Sequence, residues 1–231
     1  MLNLISFRSA LGVRCPSLFG LKTEALLAMS GLAYKVKNGD VRKTPKGKLP
    51  VLNDDGEFIA DSSVIKKHLE DVHGVDFDGS LSAEQRATAK AVQRMVENHL
   101  YFAMIHFSWV ENSDLVRETY FKAIPSPVRK IVFKLILKKV KRDNYGHGMG
   151  RHERADILAF ALEDIGALSV LLGTKLFFFG DKPTSIDATV YAALEIIMNS
   201  AIPSDLQDGT RKHGNLVDYC DRFRGQVFAA A

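Results

Sequence analysis

The segment from Lys46 to Ile65, KGKLPVLNDDGEFIADSSVI, constrains the fold more than any other part of the sequence. It predicts a short apolar strand entered through Pro50, a turn at Asp54-Asp55-Gly56 and a second strand from Glu57 to Ala60, followed by a helix. A proline at the first residue of a strand removes no hydrogen bond that the sheet needs. The segment therefore predicts one half of an α/β domain.

The helix that follows the second strand has a recognisable beginning. Asp61 or Ser62 stands where the helix needs its N-cap, because short polar side chains there accept hydrogen bonds from the first free N–H groups. Ile65, Leu69 and Val72 are spaced as the apolar face of this helix.

The same residues predict a ligand site. If the Leu49–Pro50 bond is cis, the N–H and C=O of Leu49 can turn outward to a ligand. The free N–H groups at the helix start, next to Ser62, can hold a carboxylate. This outline fits an extended peptide with a free amino-acid head. The alternative is that Asp61 and Ser62 only cap the helix and that Pro50 only begins a strand.

The segment resembles the second half of the thioredoxin-like domain of glutathione transferases. The resemblance implies that Leu49, before the cis-proline Pro50, pairs with the cysteinyl backbone of glutathione. It also implies that Asp61 and Ser62 hold the γ-glutamyl head. Lys48 would pair with the glycyl carboxylate at the other end of the tripeptide, unless it is only a solvated lysine.

Composition excludes several other classes of protein. The chain has 231 residues, of which 46% are hydrophobic, enough for one large or two small domains. No run of eighteen apolar residues predicts a membrane span. Cys15 and Cys220 stand far apart, which predicts neither a disulfide framework nor a metal site and fits a reducing cytoplasm. A net charge of +4 is too small to indicate nucleic-acid binding.

The order of elements predicts two domains. Residues 1–75 follow the order strand, helix, strand, hairpin, helix, with a helix over Ser17–Ser30 and a strand over Leu32–Val36. A linker rich in Gly and Asp, His73–Leu81, comes next, and the chain is then almost wholly helical. We expect an α/β plus all-α fold: a thioredoxin-like domain over 1–75 followed by an all-helical glutathione-transferase C-terminal domain over 82–231.

A second landmark lies in the predicted helical domain. Thr184 and Asp187 form a capping box with Asp in the place of Glu, and a helix apolar on nearly every side follows as far as Met198. In glutathione transferases such a box opens the core helix of the helical domain. It is a folding element, and we assign it no chemistry.

Several further segments resemble the branch of the family that contains failed-axon-connections and metaxin-like proteins. These segments are Ser17–Glu24, Tyr120–Arg129, Gly148–His152, Asp181–Ala188 and Asn215–Arg222. The family implies glutathione as co-substrate, a small electrophile as second substrate, no metal and a homodimer. The branch implies an alternative, a non-catalytic adaptor that keeps the fold without the thiol chemistry.

The resemblance places the catalytic group at the start of the first helix. The S-P-F-C-L-K-x-E opening of the branch puts its serine on Ser17 and its phenylalanine on Phe19, while Leu18 replaces its proline. Ser17 would donate a hydrogen bond to the glutathione sulfur, and the helix N-terminus would favour the thiolate. Alternatively, Cys15 forms a mixed disulfide as in thiol-transferring relatives, or Ser17 is only an N-cap and Cys15 a half-buried loop residue.

The predicted long helix over Ser82–Glu111 supplies the electrophile side. Tyr101, His106 and Trp109 lie on it and should face the thiol site, where they would line an apolar pocket. Such aromatic residues are also common in cores and interfaces.

A basic segment suggests one more function. Arg129–Arg142 holds seven basic and no acidic residues, and its lysines recur at helical spacing. Such a helix can lie on an anionic membrane surface, although we favour a core helix with a basic solvated face. His147, His152 and Glu153 lack the spacing of a metal site.

Overall fold

The structure, a computed structural model, describes residues 1–229; Ala230 and Ala231, the end of the predicted second domain, lie outside them. The first part of the chain contains four strands and two helices. They are β1 (Leu2–Ser6), α1 (Leu18–Ser30), β2 (Tyr34–Asn38), β3 (Val51–Asp54), β4 (Glu57–Ala60) and α2 (Ser62–His73). A single 3₁₀ turn, Val41–Lys43, precedes β3.

The four strands form one sheet in the order β2-β1-β3-β4. β1 pairs in parallel with β2 and antiparallel with β3, and β3 and β4 form a hairpin. Alternate residues of β1 are buried, so Leu2 and Leu4 enter the core while the residues between them do not. This is the expected thioredoxin-like domain.

The rest of the described chain is helical and contains no strand. Its helices are α3 (Ala83–Met95), α4 (Tyr101–Ile105), α5 (Ser113–Tyr120), α6 (Ser126–His147), α7 (Arg154–Leu172), α8 (Ser185–Asn199), α9 (Asp205–Arg211) and α10 (Gly214–Val227). The predicted capping boxes at Ser82 and Thr184 are both present. The predicted fold class is confirmed.

The predicted helix Ser82–Glu111 is interrupted twice. π-helical segments, Val96–Leu100 and His106–Glu111, flank α4. A π segment adds residues to a turn, and a hydrophobic pattern read at 3.6 residues per turn carries no signal for them. The helix expected to open at Arg151 begins at Arg154, after a 3₁₀ turn.

Two other local predictions were wrong. The second strand lies two residues later than Leu32–Val36, because Gly31 ends α1 with φ 69° and the next residues turn the chain back before Tyr34 pairs with Leu2. Val72 is 63% exposed, so the apolar face of α2 consists of Ile65 and Leu69 alone.

α6 is not the core helix that we favoured. Phe133 and Asn144 are its only buried residues within the described chain, whereas Ile131 and Leu135 are each 66% exposed. No helix of the described chain is long and apolar enough to cross a membrane.

The two parts pack on each other through α1 and α8. Asp78, between α2 and α3, accepts hydrogen bonds from the N–H and Oγ of Ser185 at 3.0 and 2.7 Å. It also pairs with Lys66 at 3.0 Å. The connecting segment is thus tied to both α2 and the start of α8, and we propose the domain boundary within it.

Candidate functional site

The predicted site residues converge at one edge of the sheet. The register places Ile5 beside Val51, and Val51 beside Ala60. The end of β1, the start of β3 and the end of β4 therefore lie side by side. The N–H of Asp61 reaches the C=O of Pro50 at 3.5 Å. Ser17 joins this edge because the loop before α1 contacts the end of β1.

The Leu49–Pro50 peptide bond is cis, as expected. The Leu49 side chain is 8% exposed and packs with Val51 and Ala60. Among residues 1–229, the N–H and C=O of Leu49 have no hydrogen-bond partner. A buried side chain beside two unused backbone groups suits pairing with an extended peptide.

Asp61 is the N-cap of α2, and Ser62 is its first residue. Asp61 has φ 96°, a region that non-glycine residues rarely adopt. Its Oδ1 accepts the N–H of Ser63 at 2.9 Å, and its Oδ2 has no partner within the described chain. Ser62 is 3% exposed. The helix start thus offers a free carboxylate oxygen next to N–H groups that attract an anion.

The lysine nearest to this helix start is not the predicted one. Lys46 Nζ donates to the C=O of Ala60 at 3.4 Å, directly before Asp61. Lys48 is exposed and has no recorded contact in the described chain. Gly47 between them has φ 61°, and a reversal of the chain at a glycine cannot be read from the order of the residues.

Ser17 is the N-cap of α1. Its Oγ accepts the N–H of Gly20 at 3.3 Å, which leaves the hydroxyl hydrogen available to donate. Leu18, which replaces the proline of the motif, is 1% exposed. The substitution therefore fills the core and keeps Ser17 at the helix start.

Cys15 is fully enclosed, not half-buried. It is 1% exposed, and its Sγ lies 3.5 Å from Ser6 Oγ. Burial raises the pKa of its thiol. A Cβ at Gly20, where the branch motif has cysteine, would lie 2.6 Å from Cys15 Sγ. The thiol fills the space beside this glycine, and a buried, protonated thiol is a poor nucleophile.

The predicted aromatic residues divide between two places. The ring of Tyr101 lies edge-on to Phe19, with centroids 5.1 Å apart, so the helical domain meets the start of α1 here. Burial raises the pKa of Tyr101, which keeps its hydroxyl protonated as a donor. Trp109 packs on Tyr120 and Phe133, with ring centroids 6.0 and 6.4 Å away.

His106 lies in a charged environment. Its Nε2 is 3.4 Å from Glu111 Oε1, and Glu111 also pairs with Arg154 at 2.6 Å. Burial lowers the pKa of His106, which favours its neutral form. The structure thus joins Tyr101 to Phe19 directly but gives His106 a different set of partners.

Two family models match the chain. The model of the glutathione S-transferase N-terminal domain matches residues 18–114, and the model of the C-terminal domain matches residues 155–223. The isoprene-epoxide glutathione S-transferase of a Rhodococcus strain is 30% identical over 98% of this chain and 99% of its own. The chain belongs to the glutathione S-transferase family.

Other relatives place this glutathione S-transferase among the metaxin-like proteins. The Failed axon connections protein of Drosophila melanogaster is 33% identical over 92% of the chain, which spans 55% of that protein's length. Human Metaxin-2 is 26% identical over 90% of the chain and 81% of its own. The predicted branch is confirmed.

Solved structures agree on the fold. The beta-etherase LigF from Sphingobium superposes with a TM-score of 0.67 at 17% identity, covering 100% of this chain and 99% of that one. A Methylobacterium radiotolerans glutathione S-transferase in complex with glutathione sulfonate gives 0.63 at 18% identity, covering 99% and 93%.

Beside the site, this glutathione S-transferase carries a buried ion pair that the sequence analysis missed. Lys22 Nζ of α1 lies 2.6 Å from Glu97 Oε1 of the π segment, with side chains 2% and 6% exposed. Gln93 bridges Glu97 Oε2 at 3.0 Å and Ser63 Oγ at 3.3 Å. Burial lowers the pKa of Lys22, whereas Glu97 opposes that shift. The helical domain thus reaches the start of α2 through polar side chains.

The signal for this pair was present in part. A lysine in the apolar run of α1, at Leu21-Lys22-Thr23, is unusual unless it is paired. Its partner stands 75 residues away. Nothing local in the sequence identifies Glu97.

Proposed function

We propose that this protein binds reduced glutathione and transfers its thiolate to small electrophiles. One observation carries the proposal: the unused N–H and C=O of Leu49 and the open start of α2 at Asp61 lie at the sheet edge that α1 enters at Ser17. The match to a relative named as an isoprene-epoxide glutathione S-transferase along its whole length supports it.

The binding step follows from the free groups of the site. Leu49 pairs its backbone with the cysteinyl residue of glutathione. The free Oδ2 of Asp61 accepts from the γ-glutamyl ammonium, and the N–H groups at the start of α2 hold the γ-glutamyl carboxylate. Lys46, and not only Lys48, is close enough to this edge to attract the carboxylates of the ligand.

The chemical step needs a thiolate. Ser17 donates its hydroxyl hydrogen to the sulfur, and the N-terminal end of α1 stabilises the negative charge. With an epoxide as electrophile, a bond forms between sulfur and carbon while a carbon–oxygen bond of the ring breaks, and the resulting alkoxide takes a proton from water. Phe19 and Tyr101 cover the apolar side of the electrophile.

Isothermal titration with reduced glutathione tests the proposal. We expect heat from one site per chain and displacement by S-alkyl glutathiones, because the sulfur substituent points to the electrophile side. Absence of both heat and displacement would overturn it. Epoxides are the first electrophile class to assay in the purified protein.

A second function is favoured by the exposure of α6. Ile131 and Leu135 are each 66% exposed and Val128 is 51% exposed, an apolar stripe beside Lys134 and Lys138. Within the described residues these two lysines have no carboxylate partner. We propose that this surface docks on anionic lipid, which would suit a non-catalytic adaptor.

Co-sedimentation with anionic and neutral vesicles tests the second function. We expect salt-sensitive binding to the anionic vesicles that is lost in Lys134→Glu/Lys138→Glu. The matched control is Lys35→Glu/Lys37→Glu, the same charge change on exposed residues of β2. Failure of the wild type to bind, or equal loss in both variants, would dismiss a lipid-binding α6.

A further inference from the structure

Three metal-ligating side chains meet away from the proposed glutathione site. Asp54 is the last residue of β3, and His68 and His73 lie on α2. The Nε2 atoms of the two histidines lie 2.8 and 2.7 Å from the same oxygen, Asp54 Oδ2. The three ligand atoms lie within 4.8 Å of one another.

Local structure explains why they meet. The hairpin turn at Asp55-Gly56, where both residues have positive φ, pairs Asp54 with Glu57 at the end of the sheet. α2 packs on β3 and β4 and runs back toward this turn. It ends at His73, so both imidazoles reach the carboxylate.

We propose that Asp54, His68 and His73 form a binding site for a divalent transition-metal ion of the zinc type. Two imidazole nitrogens and one carboxylate oxygen are ligands that Zn²⁺ accepts, whereas Mg²⁺ and Ca²⁺ prefer oxygen alone. Zn²⁺ binds such atoms at about 2.0–2.2 Å. The ion therefore needs only a small outward movement of each side chain, with water as a fourth ligand.

The side chains are accessible but sheltered. Their exposed fractions are 10% for His68, 13% for Asp54 and 25% for His73. An ion can enter from solvent, and the burial limits competition from water. The hydrogen bond from His68 is the main reason that the pKa of Asp54 is lowered, so the carboxylate is ionised and ready to coordinate.

The alternative is a carboxylate that only accepts two hydrogen bonds. In that arrangement each imidazole spends its Nε2 hydrogen on the same oxygen. A metal ion replaces these two modest hydrogen bonds with three coordination bonds and clamps the hairpin of β3 and β4 to the end of α2. The two arrangements differ in whether Zn²⁺ stabilises the folded protein.

The site is distinct from the proposed glutathione site. Asp61 precedes the first residue of α2 and His73 is the last of its 12 residues, which separates them by about 18 Å. An ion here would brace the thioredoxin-like domain and take no part in thiol chemistry.

Titration of the full chain with Zn²⁺ tests the proposal, by calorimetry and by the visible absorption of Co²⁺ in its place. We expect one equivalent to bind and to raise the unfolding temperature, while Mg²⁺ has no effect. His73→Gln and Asp54→Asn should each weaken Zn²⁺ binding by about 100-fold. His152→Gln, a change at an exposed histidine of the other domain, should leave it unchanged.

Circular dichroism of the metal-free variants establishes that each is folded. If His73→Gln does not fold, Asp54→Asn and His68→Gln give the same comparison. No Zn²⁺ binding to the wild type, or undiminished binding in these variants, would overturn the proposal.

Discussion

Asp61 and Asp187 both stand at the start of a helix, yet the structure uses them in opposite ways. Asp187, in α8, is 0% exposed and accepts from the N–H of Phe178 at 3.0 Å and of Thr184 at 2.8 Å. The hydroxyls of Thr184 and Tyr219 add bonds of 2.9 and 3.3 Å. Asp61 is exposed and has a single bond, to the N–H of Ser63.

The difference separates a folding element from a ligand site. The carboxylate of Asp187 has no capacity left for a ligand, although burial still raises its pKa. The carboxylate of Asp61 keeps one oxygen free, at a helix start where N–H groups are also free. Unused hydrogen-bonding capacity, and not the residue type, marks the candidate site.

The largest expected effect is on stability, at Asp187. Asp187→Ala leaves two backbone N–H groups and two hydroxyls buried without an acceptor, and each such group is costly. We expect a loss of about 3–5 kcal/mol in the free energy of unfolding, measured by urea denaturation. Asp181→Ala, at an exposed residue nearby, is the control and should change stability little. A loss in Asp187→Ala as small as in the control would contradict the structural role.

The opposite pattern is expected at Asp61. Asp61→Ala removes the acceptor of the γ-glutamyl ammonium and should weaken glutathione binding by about 1.5–3 kcal/mol, roughly 10- to 100-fold. Its effect on folding should be that of a lost N-cap, about 1 kcal/mol. Calorimetric titration measures the first and urea denaturation the second.

Asp71→Ala is the matched control, because Asp71 is exposed near the other end of the same helix. Glutathione affinity should be unchanged in it. If affinity is also unchanged in Asp61→Ala, then Asp61 is only a cap and the two aspartates do not differ in function.

Ser17 tests whether the start of α1 behaves like that of α2. Ser17→Ala should lower the rate of conjugation on the order of 10²-fold or less, because the helix N-terminus favours the thiolate whichever donor stands there. Loss of the donor should also move the acid limb of the pH–rate profile to higher pH, since the bound thiol becomes harder to ionise. A cap without chemistry would lower stability and leave both the rate and the profile unchanged.

Sequence reasoning succeeded where the signal was local. Pro50 before a short strand, the turn at Gly56 and the box at Thr184 each act within a few residues, and each appears as predicted. These signals were enough to obtain both the fold class and the position of the sheet edge that carries the candidate site.

It failed where the structure depends on distant partners. Lys22 and Glu97 come from different domains, and Asp54 meets its histidines only because α2 folds back on the hairpin. The same limitation explains the exposure of α6: an amphipathic pattern indicates that one face is apolar, but not whether anything covers it.

The smallest expected effect is at Cys15, and it extends the comparison to the thiol. Since Cys15 is enclosed between Ser6 and Gly20, with its pKa raised by burial, it lacks both the exposure and the thiolate character of a nucleophile. Cys15→Ala should therefore keep conjugation and any reduction of glutathione mixed disulfides within about twofold of the wild type. The loss of packed sulfur should cost about 1 kcal/mol in stability. Assays of both reactions in Cys15→Ala and Ser17→Ala separate the roles: disulfide reduction abolished in Cys15→Ala, with conjugation intact in Ser17→Ala, would make the buried thiol the reacting group and move the chemistry from a helix cap to the core.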